Sequence, residues 1–288
     1  MKSKMDEEIN EVQAGFRPGT GTRNQIFNLK MVIEKNREYG NNLFLCFIDY
    51  SKAFDMVSHN VLWSVMANMG YPTHIIELIK QLYSQQKAAV RTSHGLTDWF
   101  TVEQGVRQGC ILSPHLFNIY SEQIMRNALD NFVGSVKVGG RTISNLRYAD
   151  DVVLIAGSME ELQDLVNRVK DSSLQFGLKL NASKTKVMKI SKNKLNGEAE
   201  HIILDNNERI ENVDEFVYLG ALITNNYDDT KEIRRRLCIA RNAMVSLTKI
   251  WKDKSITIST KKRLLQSLVF SIASYGSECW VLKNIDKK

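Results

Sequence analysis

The stretch NLRYADDVVLIAG, residues 145–157, constrains the fold more than any other. Asp150 and Asp151 are adjacent, with Leu146 and Tyr148 before them and the apolar run Val152–Ala156 after them. Neighbouring carboxylates repel each other, and an unpaired charge loses several kcal/mol or more on leaving water. Such a pair at the mouth of an apolar strand reads two ways. It is a surface turn, where Asp is simply turn-prone, or the acids are held together by a cation. A second acid has a similar setting: six consecutive apolar residues, Leu43–Ile48, run into Asp49. A run that short and that apolar reads as a strand covered on both faces.

Helix signals punctuate the rest. Residues 23–39 place Ile26, Leu29, Val32 and Ile33 on one face, and Gly40 follows as a stop. Ser58 is positioned to cap a helix bearing Val61, Leu62, Val65 and Met66, and Pro72 to start another with Ile75, Ile76 and Ile79. Ser113–Pro114 opens a helix with Leu116, Phe117, Tyr120 and Ile124. Ser158 and Glu161 form a capping box before Leu162, Leu165, Val166 and Val169. Strand-like pieces lie at 88–92, 99–103, 136–138, 142–148, 151–156 and 186–190. This alternation argues an α+β fold: an antiparallel or mixed sheet with helices on one face. The acids would sit at the turn of its central hairpin. The polar LNGEAEH stretch, residues 195–201, reads as a connection, and the pattern after residue 227 is purely helical.

Composition narrows the partners. With 288 residues, 43% hydrophobic and 25% charged, the chain suits one large domain or two modest ones around a sizeable core. Its net charge of +7 is uneven: Lys231 to Arg263 holds eleven Lys/Arg against Glu232 and Asp253. A basic block of that kind serves a polyanion partner or is a solvated helix face. The four cysteines are scattered without zinc-site spacing, and Cys46 sits in an apolar run, which suits a reduced, intracellular protein. No segment has membrane-spanning length, and MKSKMDEEIN lacks the apolar core of a signal peptide.

If the strands ending at Asp49 and starting at Asp151 are neighbours, three carboxylates meet at one point. Clustered carboxylate oxygens call for hard divalent ions such as Mg²⁺ or Mn²⁺. Two such ions roughly 3.5–4 Å apart are the usual device for phosphoryl transfer. Further motifs surround the acids in a fixed order: QAGFRPGTGTRNQI (13–26), FIDYSKAFD (47–55), GVRQGCILSPHLF (105–117), YADD (148–151), GLKLNASKTKVM (177–188) and FVYLGALI (216–223). From about Glu11 to Trp280 the chain resembles the reverse transcriptase of non-LTR retrotransposons, in particular the RTE and jockey-like groups.

That resemblance implies an RNA-directed DNA polymerase core working on an RNA template, a DNA primer and dNTPs, with Mg²⁺ or Mn²⁺ and a nuclear location. It implies a polymerase palm, a ferredoxin-like antiparallel sheet with helices on one face. The expected layout is partial fingers at 1–42, palm with a fingers insertion at 43–226, and a helical thumb-like region at 227–288. Asp49 and Asp150 match the metal-binding palm carboxylates, and Asp151 the third acid. Phe54 matches the aromatic gate against a ribose 2′-hydroxyl, although it also reads as plain core packing. Gln108 and Gly109 match the loop against incoming nucleotide and template, where a glycine allows close backbone approach. Arg17 matches a triphosphate-holding arginine, a role suited to its forked guanidinium, and alone reads as a solvated loop residue. Lys184 matches the lysine credited with nucleotide contact and with protonating the leaving pyrophosphate, with Lys186 a near competitor. Tyr218, Leu219 and Gly220 match the primer grip, where apolar core packing is an equal reading. The basic C-terminal helices match a thumb gripping the duplex backbone, though consecutive Arg234, Arg235 and Arg236 splay around a helix. The matched motifs begin at the second fingers motif, with no endonuclease domain ahead and no Cys/His-rich tail behind, so a truncated element is expected.

Three functions remain in play at this level: a polymerase, a nucleic-acid-binding fragment without turnover, and an interaction protein descended from such an element.

Overall fold

The computed structural model describes residues 2–191, 201–204 and 208–287; the polar connection at 195–201 lies, up to His201, outside them. In chain order come α1 (Lys2–Glu8), α2 (Thr22–Glu38), β1 (Leu43–Ile48), α3 (His59–Asn68) and α4 (Thr73–Tyr83). Two small ribbons follow, β2 (Lys87–Ala88), β3 (Arg91–Thr92), β4 (Gly95–Leu96) and β5 (Phe100–Thr101), then α5 (Ser113–Leu129). Next are β6 (Lys137–Val138), β7 (Arg141–Thr142), β8 (Asn145–Tyr148), β9 (Asp151–Ala156), α6 (Met159–Gln175), β10 (Lys186–Ile190) and β11 (Glu211–Asn212). The hairpin β12 (Glu215–Tyr218) and β13 (Ala221–Thr224) leads into α7 (Thr230–Ser246), α8 (Thr248–Lys252), α9 (Ile258–Leu264), a wide helical turn at Leu265–Phe270 and α10 (Ser271–Ala273). The α+β class, a sheet with helices, is as expected from the alternation, and the region after residue 227 is helical.

The main sheet has the order β11-β10-β1-β9-β8. All six residues of β1 are buried, as its unbroken apolar run requires. β1 pairs antiparallel with β9, Ile48 facing Val152, and β9 pairs antiparallel with β8, Tyr148 facing Asp151. The paired acids therefore open β9 at a two-residue turn.

Chain contacts separate two units: Met1–Gly21, Phe44–Val187 and Ala199–Glu211 in one, Thr22–Leu43, Met188–Glu198 and Asn212–Lys288 in the other. The first unit's core joins β1 and β9 to α3, α5 and α6 through Cys46, Leu62, Leu116, Phe117, Leu154 and Leu165. Burial pushes the Cys46 thiol up to about 12, so it is inert packing rather than a nucleophile. Under the sheet, Arg147 on β8 meets Glu122 on α5 at 3.0 Å, both side chains under 5% exposed.

Helix starts agree with the sequence in place and differ in chemistry. The Glu161 N–H donates to Ser158 Oγ at 3.1 Å. Glu161's carboxylate instead accepts from the N–H groups of Ser135 (2.7 Å) and Gly157 (2.8 Å), so the box closes one residue early. Ser58 occupies its cap position without a side-chain hydrogen bond, and Pro72 sits at the cap rather than inside the first turn. Ser113 lies within α5, its hydroxyl donating to the Arg107 carbonyl at 2.6 Å.

The second unit is organised around a buried ion pair. Lys30, on the apolar face of α2, is hydrogen-bonded through its ammonium to Asp229, which precedes α7; the side chains are 6% and 5% exposed. Asp229 Oδ2 also accepts from the Val281 N–H at 2.9 Å, and Lys30 donates to the Cys279 carbonyl at 3.3 Å. Of the arginine triplet, Arg235 and Arg236 are engaged by Glu232 at 2.7 and 2.8 Å, while Arg234 is exposed. Replacing one partner of a buried pair strands the other's charge. Lys30→Met is expected to cost about 3–5 kcal/mol, read as a lower urea midpoint, and Lys30→Met/Asp229→Leu to regain most of it. An unchanged midpoint in the single variant would show that the pair does not hold this unit.

Candidate active site

The acids are placed by strand ends. Beyond Ile48, the Asp49 carbonyl accepts from the Asn181 N–H at 2.8 Å and its N–H donates to Thr185 Oγ1 at 3.3 Å. Tyr50 bridges Leu180 and the Ser51 N–H reaches the Lys179 carbonyl, so the 179–185 segment extends the β1 edge. Lys52 then takes a left-handed φ of 53° and turns the chain into the short helix Ala53–Met56. Continuing the β1–β9 register one step past Ile48 and Val152 sets Asp49 opposite Asp151. Asp150 occupies the turn between β8 and β9.

The three charges act on one another. Loss of water raises the Asp150 pKa above the ordinary carboxylate range, and Asp49's charge adds to it. The Asp151 carboxyl is pushed up to about 6, by desolvation first and then by repulsion from Asp150 and Asp49. Asp151 does present surface to solvent at the start of β9, and water there screens part of that repulsion. Asp49 Oδ2 is shielded from water and accepts no hydrogen bond. The Lys184 ammonium is its cation, 3.9 Å away.

This donor set fits a hard divalent ion: an orphaned carboxylate oxygen beside two acids that repel it. Among the described residues, no three or more His, Cys, Asp or Glu side chains are gathered closely enough to hold a metal alone.

The remaining candidates separate clearly. Lys184 is largely exposed and turned toward Asp49, whereas Lys186 pairs with Glu211 at 2.7 Å. Phe54 stacks on Phe117 with ring centroids 4.4 Å apart, and its carbonyl accepts from the Val106 N–H. Gln108 and Gly109 form an exposed turn; Gly109 has φ +82° with open space where a side chain would be. Arg17 is not turned to the acids: its Nη1 donates to the carbonyls of Ile9, Asn10 and Gln13 at 3.3, 3.0 and 3.3 Å. In the second unit, Tyr218 is buried and closes the β12–β13 turn. Leu219 and Gly220 form that turn, with φ +46° and +85°. Tyr275's hydroxyl donates to the Leu219 carbonyl at 2.8 Å and Arg235 Nη2 to the Gly220 carbonyl at 2.6 Å.

Sequence reasoning missed the residues that hold the acidic turn. Gln13, 1% exposed, accepts through Oε1 from the N–H groups of Ala149 and Gly15, both at 2.8 Å. Its Nε2 donates to the Ala149 carbonyl at 3.3 Å. Asn118 on α5 donates to the Gly15 carbonyl at 2.8 Å. The only available signal was the placement of Gln13 and Gly15 inside the QAGF motif.

The α+β fold is shared with solved telomerase structures. Apo telomerase from Candida tropicalis, truncated from its C-terminal domain, matches with a TM-score of 0.55 at 17% identity, covering 77% of this chain and 42% of that one. The model of the family described as reverse transcriptase (RNA-dependent DNA polymerase) matches residues 1–223, and the chain belongs to that family. Its relatives bear out the non-LTR resemblance. It is 29% identical over 218 residues to the Pol polyprotein of the R2DM retrotransposable element of Drosophila melanogaster, covering 74% of this chain and 20% of that protein. It is 26% identical over 185 residues to the RNA-directed DNA polymerase from the mobile element jockey of Drosophila funebris, covering 61% and 19%. The chain thus spans about a fifth of the length of these relatives.

The raised Asp151 carboxyl sets a pH dependence. The folded protein binds its proton more tightly than the unfolded chain does, so this acid lowers stability as pH rises from about 4 through about 6. In EDTA, Asp151→Asn is expected to melt higher than wild type at pH 7, and the difference to vanish near pH 4. Equal melting temperatures at pH 7 would mean that the acid is not crowded.

Proposed function

We propose that this chain is the catalytic core of an RNA-directed DNA polymerase of a non-LTR retrotransposon. It extends a DNA primer along an RNA template with dNTPs. The observation that carries the reading is the mutual repulsion of Asp49, Asp150 and Asp151 at the mouth of the β1–β9 pair. Asp49 and Asp150 would hold Mg²⁺ or Mn²⁺, with Asp151 beside them; bound there, the ions steady the attacking and leaving oxygens of the phosphoryl transfer. Magnesium in such sites takes one or two carboxylates and completes its shell with substrate phosphates, so no closed protein cage is needed.

Lys184, turned toward Asp49, is suited to meet the phosphates and to give a proton to departing pyrophosphate. Phe54, braced by Phe117, is suited to crowd a ribose 2′-hydroxyl, and the open Gln108–Gly109 turn to lie against nucleotide and template. Residues 43–226 act as palm with a fingers insertion, 1–42 as partial fingers and 227–288 as a thumb, with the Tyr218–Gly220 turn gripping primer; a nuclear location goes with this reading.

A second reading, nucleic-acid binding without turnover, draws on Arg17. Its guanidinium is occupied by three backbone carbonyls rather than free for a triphosphate.

Primer extension on an RNA template with Mg²⁺ and with Mn²⁺ separates the two. The polymerase reading expects extension that falls about a hundredfold or more in Asp150→Asn while the fold is retained. Salt-sensitive template–primer binding with no extension under either ion would favour the second reading. Phe54→Val is expected to raise ribonucleotide incorporation; unchanged incorporation would remove Phe54 from the gate role.

A further inference from the structure

Ala149 stands immediately before the acidic pair in an unfavourable conformation. Its φ is +57°, a region that a residue with a Cβ enters at a cost. The two-residue turn that joins Tyr148 to Asp151 calls for that φ at its first central residue, a place glycine would fill without strain. A further hold on it comes from a segment 136 residues away in sequence. Gln13 engages both backbone groups of Ala149, accepting its N–H and donating to its carbonyl. The same Oε1 accepts the Gly15 N–H, which fixes the carboxamide's orientation.

Gly15 permits the approach. A Cβ there would lie 2.3 Å from the Ala149 nitrogen and 2.9 Å from the Tyr148 carbonyl carbon, distances no side chain occupies. Gly15 has no positive φ, so its demand is for space alone. Asn118, fully buried on α5, anchors the Gly15 carbonyl, and the Arg147 carbonyl accepts the Ala14 N–H at 3.0 Å. Residues 13–15 thus run beside β8 and close over the turn.

We propose that Gln13 is a positioning residue that holds Ala149 in its left-handed conformation and thereby aims the Asp150 carboxylate. The side chain touches neither acid and acts through the backbone. A carboxamide suits this task because one planar group offers a donor and an acceptor and carries no charge to disturb the acids. Gly15 and Asn118 hold the carboxamide in place.

As a catalytic role the proposal rests on the polymerase reading, and the experiment keeps the two apart. Gln13→Met keeps the volume and removes all three hydrogen bonds, whereas Gln13→Asn keeps an amide one methylene too short to reach. Each is compared with wild type by hydrogen–deuterium exchange over residues 145–151, by Mn²⁺ titration and by steady-state primer extension. The expected result is exchange about tenfold or more faster at the turn with little change elsewhere, and weaker Mn²⁺ binding. Catalysis should lose about ten- to a hundredfold in kcat, as a small misplacement of a reacting group does, while the dNTP KM moves little. Adding Ala149→Gly to Gln13→Met removes the cost of positive φ and is expected to recover about fivefold or more of kcat.

A purely structural glutamine would lower the melting temperature of these variants without changing kcat per folded molecule. That outcome overturns the proposal, as does an Ala149 amide that exchanges at an unprotected rate in wild type. If wild type fails to extend any primer, the polymerase reading fails, while the exchange and Mn²⁺ measurements still decide whether Gln13 sets the turn.

Discussion

Like-charge crowding at the end of a buried strand pair is the constraint on which the first unit depends. β1 and β9 are almost wholly apolar, and their antiparallel register carries Asp49 and Asp151 to facing positions, with Asp150 at the adjoining turn. Such an arrangement works against folding, because burial and repulsion both disfavour the charged carboxylates. Lys184 offers partial relief at 3.9 Å, and its exposed position limits how much. The core must supply the difference, and it is large: the sheet's two central strands pack against α3, α5 and α6 without a polar break. Acids crowded in this way hold their charges at a cost that a nearby cation would reduce.

The support around the acids acts almost entirely on backbone groups. The Asp49 main chain is fixed by Asn181 and Thr185, and the Ala149 main chain by Gln13. Neutral amides and hydroxyls orient these peptide groups without adding charge beside the acids; the charged neighbour is Lys184, 3.9 Å from Asp49. Where charges are buried in this unit, as with Arg147 and Glu122, they are paired with each other on the side of β8 next to α5.

The sequence disclosed what periodicity and runs of apolar residues encode. β1, the β8–β9 hairpin, α2, α5 and α6 lie where apolar spacing puts them, and the acids sit at the strand ends. Sequence could not separate Lys184 from Lys186, because both lie in one polar stretch; a partner outside the motif, Glu211, distinguishes them. Nor could it reveal Gln13 or Lys30. A glutamine in a loop and a lysine on a helix are ordinary surface residues by composition, and their partners lie 136 and 199 residues away. Arg17 is the converse: its guanidinium, in a matched motif, donates to local carbonyls that the motif does not disclose. Motif order picks out the segments, and long-range hydrogen bonds that it cannot encode set where each side chain points.

A strained residue beside the acids raises the question of why alanine, rather than glycine, precedes Asp150. Glycine would enter positive φ without cost but would also leave it freely, and the turn would then sample several orientations. Alanine makes the alternative conformations of the turn fewer, and Gln13 selects the left-handed one by matching both of its backbone groups. The combination gives a turn that is unfavourable in isolation and single-valued in the folded unit. Because Gln13 reaches the turn only where Gly15 allows contact and α5 anchors the segment through Asn118, the orientation of Asp150 becomes a property of the assembled core. Disorder in the 13–15 segment would leave the strands and their acids in register, yet remove the contacts by which Gln13 steers the turn.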